Sequence, residues 1–191
     1  MNNASGKIIV ITAPSGSGKT TIVKKLLQEF PLLQFSISAC TRNPRPNELH
    51  GKDYYFLSEA EFKGHIEADN FIEWEMVYTG KYYGTLKEEL QRIWDTGRYP
   101  LVDIDVQGAL SIKEKFPEQT LTIFIKAPSL EELERRLRNR GTETAETLRE
   151  RVDKAIEELT FADRFDKIVV NDTLEHAVEE IEDLVTAFVK A

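Results

Sequence analysis

Between a β-branched run and a helix with an apolar stripe, the chain places Ala13-Pro14-Ser15-Gly16-Ser17-Gly18-Lys19-Thr20. Small residues there let successive backbone N–H groups turn inward around phosphate oxygens. A helix start adds its positive end, a lysine reaches the phosphates, and a threonine hydroxyl suits Mg2+. Ala13 stands where this loop pattern carries glycine, which is safe only while its φ stays below zero. A second group follows. Arg42 and Arg45, three apart on a proline-stiffened turn, offer planar bidentate hydrogen bonds to an anion, and Tyr54 and Tyr83 add phenolic hydroxyls. Glu73 is a carboxylate flanked by the bulky Ile72 and Trp74. A third group, Asp103 and Asp105, closes an apolar run. Alternate strand residues share a face, so both carboxylates are expected to point to one site. Taken singly, these groups have plainer readings: exposed arginines on a loop, tyrosines in a small core, acids at a strand end facing solvent.

The elements that must position these groups follow from periodicity. Ile8–Thr12 reads as a buried strand, and Ile22, Val23, Leu26, Leu27 and Phe30 mark a helix up to Pro31. Strand, glycine turn and helix open a parallel α/β fold. Further core strands are expected at Leu101–Asp105, Leu121–Ile125 and Lys167–Val170. Helices are expected at Ser129–Arg140, with Ser129 as cap, and from Leu174 to Val189. Residues 35–89 break this rhythm. They are aromatic-rich and read as short strands, with turns at Asn43-Pro44, Asn47, Gly51 and Gly80, inserted into the core. Residues 140–144 read as a polar hinge between two charged helices.

Composition excludes several classes. The 191 residues carry 25 Lys+Arg against 33 Asp+Glu, a formal charge of −8, which argues against a general nucleic-acid or anionic-membrane binder. Cys40 is the single cysteine, so no intramolecular disulfide forms, and it reads as a small packing residue. The three histidines lack ligand-like spacing. No apolar run approaches the roughly 18–20 residues of a membrane span. Residues 1–7 carry no charged-then-apolar leader pattern, so a cytoplasmic protein is expected.

Ser38, Thr41-Arg42-x-Pro44-Arg45, Gly51-x-Asp53-Tyr54-x-Phe56, Phe71-Ile72-Glu73-Trp74, Tyr82-Tyr83-Gly84-Thr85, Asp103-Ile104-Asp105-x-Gln107-Gly108 and Arg140-Gly141-Thr142-Glu143 follow one another in an order that resembles the guanylate kinase family, over essentially the whole chain. The resemblance implies an α/β P-loop kinase fold: a central parallel sheet flanked by helices, an inserted mixed α+β GMP-binding domain and a small helical lid. It divides the chain into a core (1–34, 90–135 and 152–191), a GMP-binding domain (35–89) and a lid (136–151). Also by resemblance, residues Ala13, Pro14, Ser15, Gly16, Ser17 and Gly18, with Lys19, Thr20 and Thr21, hold ATP, and Asn171 contacts adenine. Arg42, Arg45, Tyr54 and Tyr83 hold the GMP phosphate; Ser38, Glu73 and Thr85 read guanine. Asp103 and Asp105 serve the GMP or the metal, with Mg2+ on Thr20 directly and on Asp103 through water. Lys19, Arg42, Arg136, Arg140 and Arg151 are the implied catalytic cations. The neighbours Arg135, Arg138 and Arg149 read instead as a solvated face paired with Glu131, Glu132, Glu134 and Glu146.

The residue chemistry agrees. Guanine presents an acceptor at O6 and donors at N1 and N2, matching a serine hydroxyl and a carboxylate. Adenine would set its N1 lone pair against Glu73, and buried groups left unpaired can disfavour the wrong base by on the order of 10⁴-fold. No catalytic base is needed, because the acceptor phosphate is already an anionic nucleophile. The expected reaction is transfer from MgATP to GMP, and to dGMP, by a monomer or homodimer binding small molecules and neither nucleic acid nor membrane. The rival is a guanylate-kinase-like module that keeps the fold and binds phosphopeptides without catalysis. Lys19, Thr20 and the lid arginines weigh against it.

Overall fold

Every residue of β1 (Ile8–Thr12) is buried, and its alternating side chains feed two different cores. Ile9 and Ile11 pack with α1 (Lys19–Glu29) and α7 (Leu174–Lys190) on one side of the sheet. Ile8 and Val10 pack with α3 (Lys87–Asp95) and α4 (Val106–Lys115) on the other. A strand apolar on both faces belongs inside a parallel sheet covered by helices. In this computed structural model, which describes residues 6–139 and 145–191, that sheet is five-stranded and parallel throughout. Its order is β2 (Leu33–Phe35), β7 (Tyr99–Asp103), β1, β8 (Thr120–Lys126), β9 (Lys167–Val170). The connections from β1 diverge to either side, and the loop after β1 therefore opens at a switch point, where α/β sheets bind ligands.

Two expectations shift. The strand read at Leu101–Asp105 lies two residues earlier, because Tyr99 and Pro100 pair with β2 while Ile104 and Asp105 leave the sheet to start α4. β2 was not expected at all; three residues are too few to carry a periodic signal.

The inserted segment builds a mixed sheet in the order β4 (Tyr55–Phe56), β3 (Ala39–Cys40), β6 (Lys81–Leu86), β5 (Phe71–Tyr78). It also contains a helix, α2 (Glu59–Glu67), in keeping with the mixed α+β domain that the resemblance implied, although the residue pattern alone read as strands and turns. The signal was present: Ser58 and Glu61 form a reciprocal capping box, and Phe62 is fully buried, its ring stacked 4.4 Å from Phe71. The expected turns at Asn47, Gly51 and Gly80 all carry positive φ. Helices α5 (Leu130–Arg138) and α6 (Ala145–Leu159) complete the chain, with Ser129 capping α5 as expected. Arg140 and the hinge read at 140–144 lie outside the described residues. α3, α5 and α6 run across the expected divisions at 89/90, 135/136 and 151/152. Among the described residues no helix is long and apolar enough to cross a membrane.

Candidate active site

The loop between β1 and α1 is held open as a cradle by its own backbone. Gly16 and Gly18 adopt φ of 92° and 93°, and Gly18 caps α1, so the helix begins at Lys19 with its N-terminal amides facing the loop. Ala13 does not take a left-handed φ, which satisfies the condition for an alanine at that position. The Lys19 ammonium pairs with the Asp103 carboxylate and lies 3.4 Å from the Ile104 carbonyl. Asn171, directly after β9, donates its side-chain amide to the Ser17 carbonyl at 2.7 Å, and its own carbonyl accepts from Arg136 Nη2 at 3.0 Å. Arg136 is in turn held by Glu132. The two residues thus tie the loop to the end of α5.

This cradle forms one wall of a cavity of about 1020 Å³. Ala13, Pro14, Ser15, Gly16, Gly18, Lys19 and Thr20 line it on that side, and Ser38, Tyr54, Glu73 and Tyr83 line it opposite. Glu73 is 4% exposed, and its carboxylate accepts from the Thr85 hydroxyl at 2.7 Å. Burial pushes its pKa up to about 7, against the opposing pull of that hydrogen bond. Arg42 is not on the wall itself. Its guanidinium makes a bidentate pair with Glu48 at 2.6 and 2.7 Å and lies 4.8 Å over the Tyr54 ring. The Glu48 carboxyl is pulled down to about 2, chiefly by Arg42 and then by the Arg45 backbone N–H. Arg45 is exposed near this turn. Ser17, Thr21, Thr85, Arg136 and Asn171 also lie off the cavity wall.

Asp103 and Asp105 both reach the cavity, but not as neighbours on one strand face. β7 ends at Asp103, while Asp105 is the N-cap of α4, accepting from the Gly108 N–H at 2.9 Å. The shared-face argument is therefore corrected: a strand end and a helix cap converge on one site. Of the face that α6 turns to the cavity, the sequence reading named Arg151 alone. Thr147, Glu150, Lys154 and Glu158 line the cavity with Arg151, whose guanidinium lies 3.4 Å from the Ser15 hydroxyl. Their helical spacing around Arg151 was the available signal. Phe35, Asp53, Glu75, Val77 and Ile104 were missed as well. Arg135 and Arg138 pair with Glu132 and Glu134 on the outer face, as expected.

Among the described residues the cavity walls thus carry seven carboxylates and three cations, with Lys19 and Arg151 both beside the loop after β1. Comparisons with known proteins match that chemistry. The guanylate kinase family model covers residues 5–188. A guanylate kinase of Porphyromonas gingivalis is 49% identical over 96% of this chain and 98% of its own length. One from Salinibacter ruber is 49% identical, covering 91% and 92%. The crystal structure of guanylate kinase from Anaplasma phagocytophilum superposes with a TM-score of 0.75 at 32% identity, covering 95% of this chain and 85% of that one. A shikimate kinase structure from Bacteroides thetaiotaomicron shares the fold alone, at 17% identity and TM-score 0.52. With a glycine-loop cradle and a buried carboxylate lining one cavity, and relatives matched along nearly their full length, this chain belongs to the guanylate kinase family.

Proposed function

We propose that the chain transfers the terminal phosphoryl group of MgATP to GMP, and to dGMP, giving ADP and the nucleoside diphosphate. In this reading it is a cytoplasmic monomer or homodimer serving purine nucleotide metabolism. The observation that carries the reading is that the Gly16, Gly18, Lys19 and Thr20 cradle and the buried Glu73, held by Thr85, line one and the same cavity. Residues 35–89 hold the acceptor, 136–151 close over the donor, and the remainder supplies the cradle.

Lys19 and the loop amides take the donor phosphates. A polyphosphate draws the Lys19 ammonium off Asp103, and that carboxylate then becomes available to a metal's water shell. The Thr20 hydroxyl and the Asp103 carboxylate are hard oxygen donors beside a roomy, net acidic cavity, a set that fits Mg2+. A Mg2+ ion held by these residues would neutralise charge developing on the phosphate oxygens. Arg42 stacks on Tyr54 and, with Arg45 and Tyr83, meets the acceptor phosphate. Glu73 accepts from guanine N1–H and N2–H, and Ser38 donates to O6. Arg136 and Arg151, together with Arg140, offset charge on the transferring group. Asn171 serves ATP by holding the Ser17 carbonyl.

The test is ADP production from MgATP with GMP, dGMP, AMP, CMP and UMP in parallel. Turnover with the two guanine nucleotides alone is expected. Folded protein that binds GMP yet is silent with all five would instead favour the phosphopeptide-binding alternative.

A further inference from the structure

Glu89, in the first turn of α3, is 2% exposed and has four donors on its two oxygens. Oε1 accepts from the Ile37 backbone N–H at 2.9 Å and from Arg92 Nη2 at 2.7 Å. Oε2 accepts from the Tyr55 hydroxyl at 2.8 Å and from Arg92 Nε at 2.8 Å. A buried carboxylate survives only when paired and fully hydrogen-bonded, and this one is. Its partners stand next to the acceptor residues: Ile37 precedes Ser38, and Tyr55 follows Tyr54. The Tyr55 N–H also donates to the Ser38 carbonyl at 2.9 Å, closing a ring of bonds through Glu89, Ile37, Ser38 and Tyr55.

That ring matters because little else fixes β4. It is the edge strand of its sheet and pairs with β3 through two residues only, Ala39 with Tyr55 and Cys40 with Phe56. At the start of β4, the adjacent Tyr54 and Tyr55 go separate ways: Tyr54, just before the strand, lines the cavity and carries the Arg42 stack, while Tyr55 reaches back to α3. α3 is itself rooted in the main core through the fully buried Leu90. Glu89 therefore grips, from the core side, the segments where the chain enters the inserted sheet and where it carries the acceptor tyrosine.

We propose that Glu89 is a positioning residue for the acceptor nucleotide, setting Ser38 and Tyr54 relative to the core without touching the substrate. This rests on the acceptor site being the one described above. Steady-state kinetics on Glu89→Gln should show the GMP KM raised about tenfold, the equivalent of one to two hydrogen bonds in a buried network, with kcat and the ATP KM changed less than about twofold. Tyr55→Phe, which removes a single hydroxyl and leaves the carboxylate paired with Arg92, should shift the GMP KM in the same direction by about threefold. The double variant should match Glu89→Gln alone, since both act through one network. A GMP KM unchanged in both single variants, GMP and ATP KM values rising together, or additive effects in the double variant would each overturn the assignment. Calorimetric GMP binding by the unmodified protein separates the two levels: if it neither binds nor phosphorylates GMP, the proposed function fails, whereas normal binding with indistinguishable variants removes Glu89 alone.

Discussion

On the proposed donor side of the cavity, the wall is shaped by backbone: one contiguous turn, two left-handed glycines and a helix end, all hung from the fully buried central strand. On the proposed acceptor side, the named groups are side chains from β5, β6, the turn after β3 and the residues just before β3 and β4. A backbone cradle is hard to lose by substitution, because most side-chain changes leave its amides in place. A site assembled from side chains depends on each hydrogen bond that aims them. The donor half should accordingly fail through a few residues that bear charge, and the acceptor half gradually, through selectivity.

The sharpest break in that contrast is Lys19→Ala. It removes the one cradle function that backbone cannot supply. Turnover should fall by on the order of 10³-fold or more, while calorimetric GMP affinity stays within about twofold. Comparable turnover in the variant would sink the donor assignment.

Next comes Glu73→Gln. One guanine donor loses its acceptor, and the GMP-over-AMP ratio in kcat/KM should drop by on the order of 10²-fold. This residue also predicts a pH signature. Burial raises its pKa from 4.5 to about 7, so between those values the folded state holds a proton that the unfolded chain has released. Stability linked to Glu73 is therefore complete below about pH 4.5 and is lost as pH rises through about 7. Thermal melts should find Glu73→Gln gaining on the unmodified protein from pH 5 to pH 8, by up to about 3 kcal/mol. A constant difference across that range would show that the carboxylate is ionised throughout.

Asn171→Asp probes whether the donor half depends on any aimed hydrogen bond. The shape is kept, but an ionised carboxylate faces the Ser17 carbonyl in place of an N–H donor. Loss of about tenfold in kcat/KM for ATP is expected. The loss should be equal for GTP as donor; a loss confined to ATP would mean that Asn171 reads adenine directly. Smallest is Ser58→Ala. It removes the α2 cap and should lower stability by about 1 kcal/mol in denaturant titration, with GMP selectivity unchanged.

Much of the donor half was legible in the sequence because its function is local. Residues 13–20 are contiguous, their glycines state the backbone conformation, and β1 and α1 announce themselves by unbroken and 3.6-residue apolar periodicity. The acceptor residues could be named only through family resemblance, since nothing in the spacing of Ser38, Glu73 and Thr85 says that they meet. What tertiary structure alone decided is convergence and pairing. Asp105 faces the site as a helix cap rather than as a strand residue; α6 presents a cavity face; Asn171 serves the Ser17 carbonyl; Arg42 is already gripped by Glu48. Glu89 is the plainest case, since in sequence it is one more glutamate on a charged helix. Periodicity reports which face of an element is apolar. It does not report which distant backbone N–H or hydroxyl will fill a carboxylate's lone pairs, because that depends on how the elements pack.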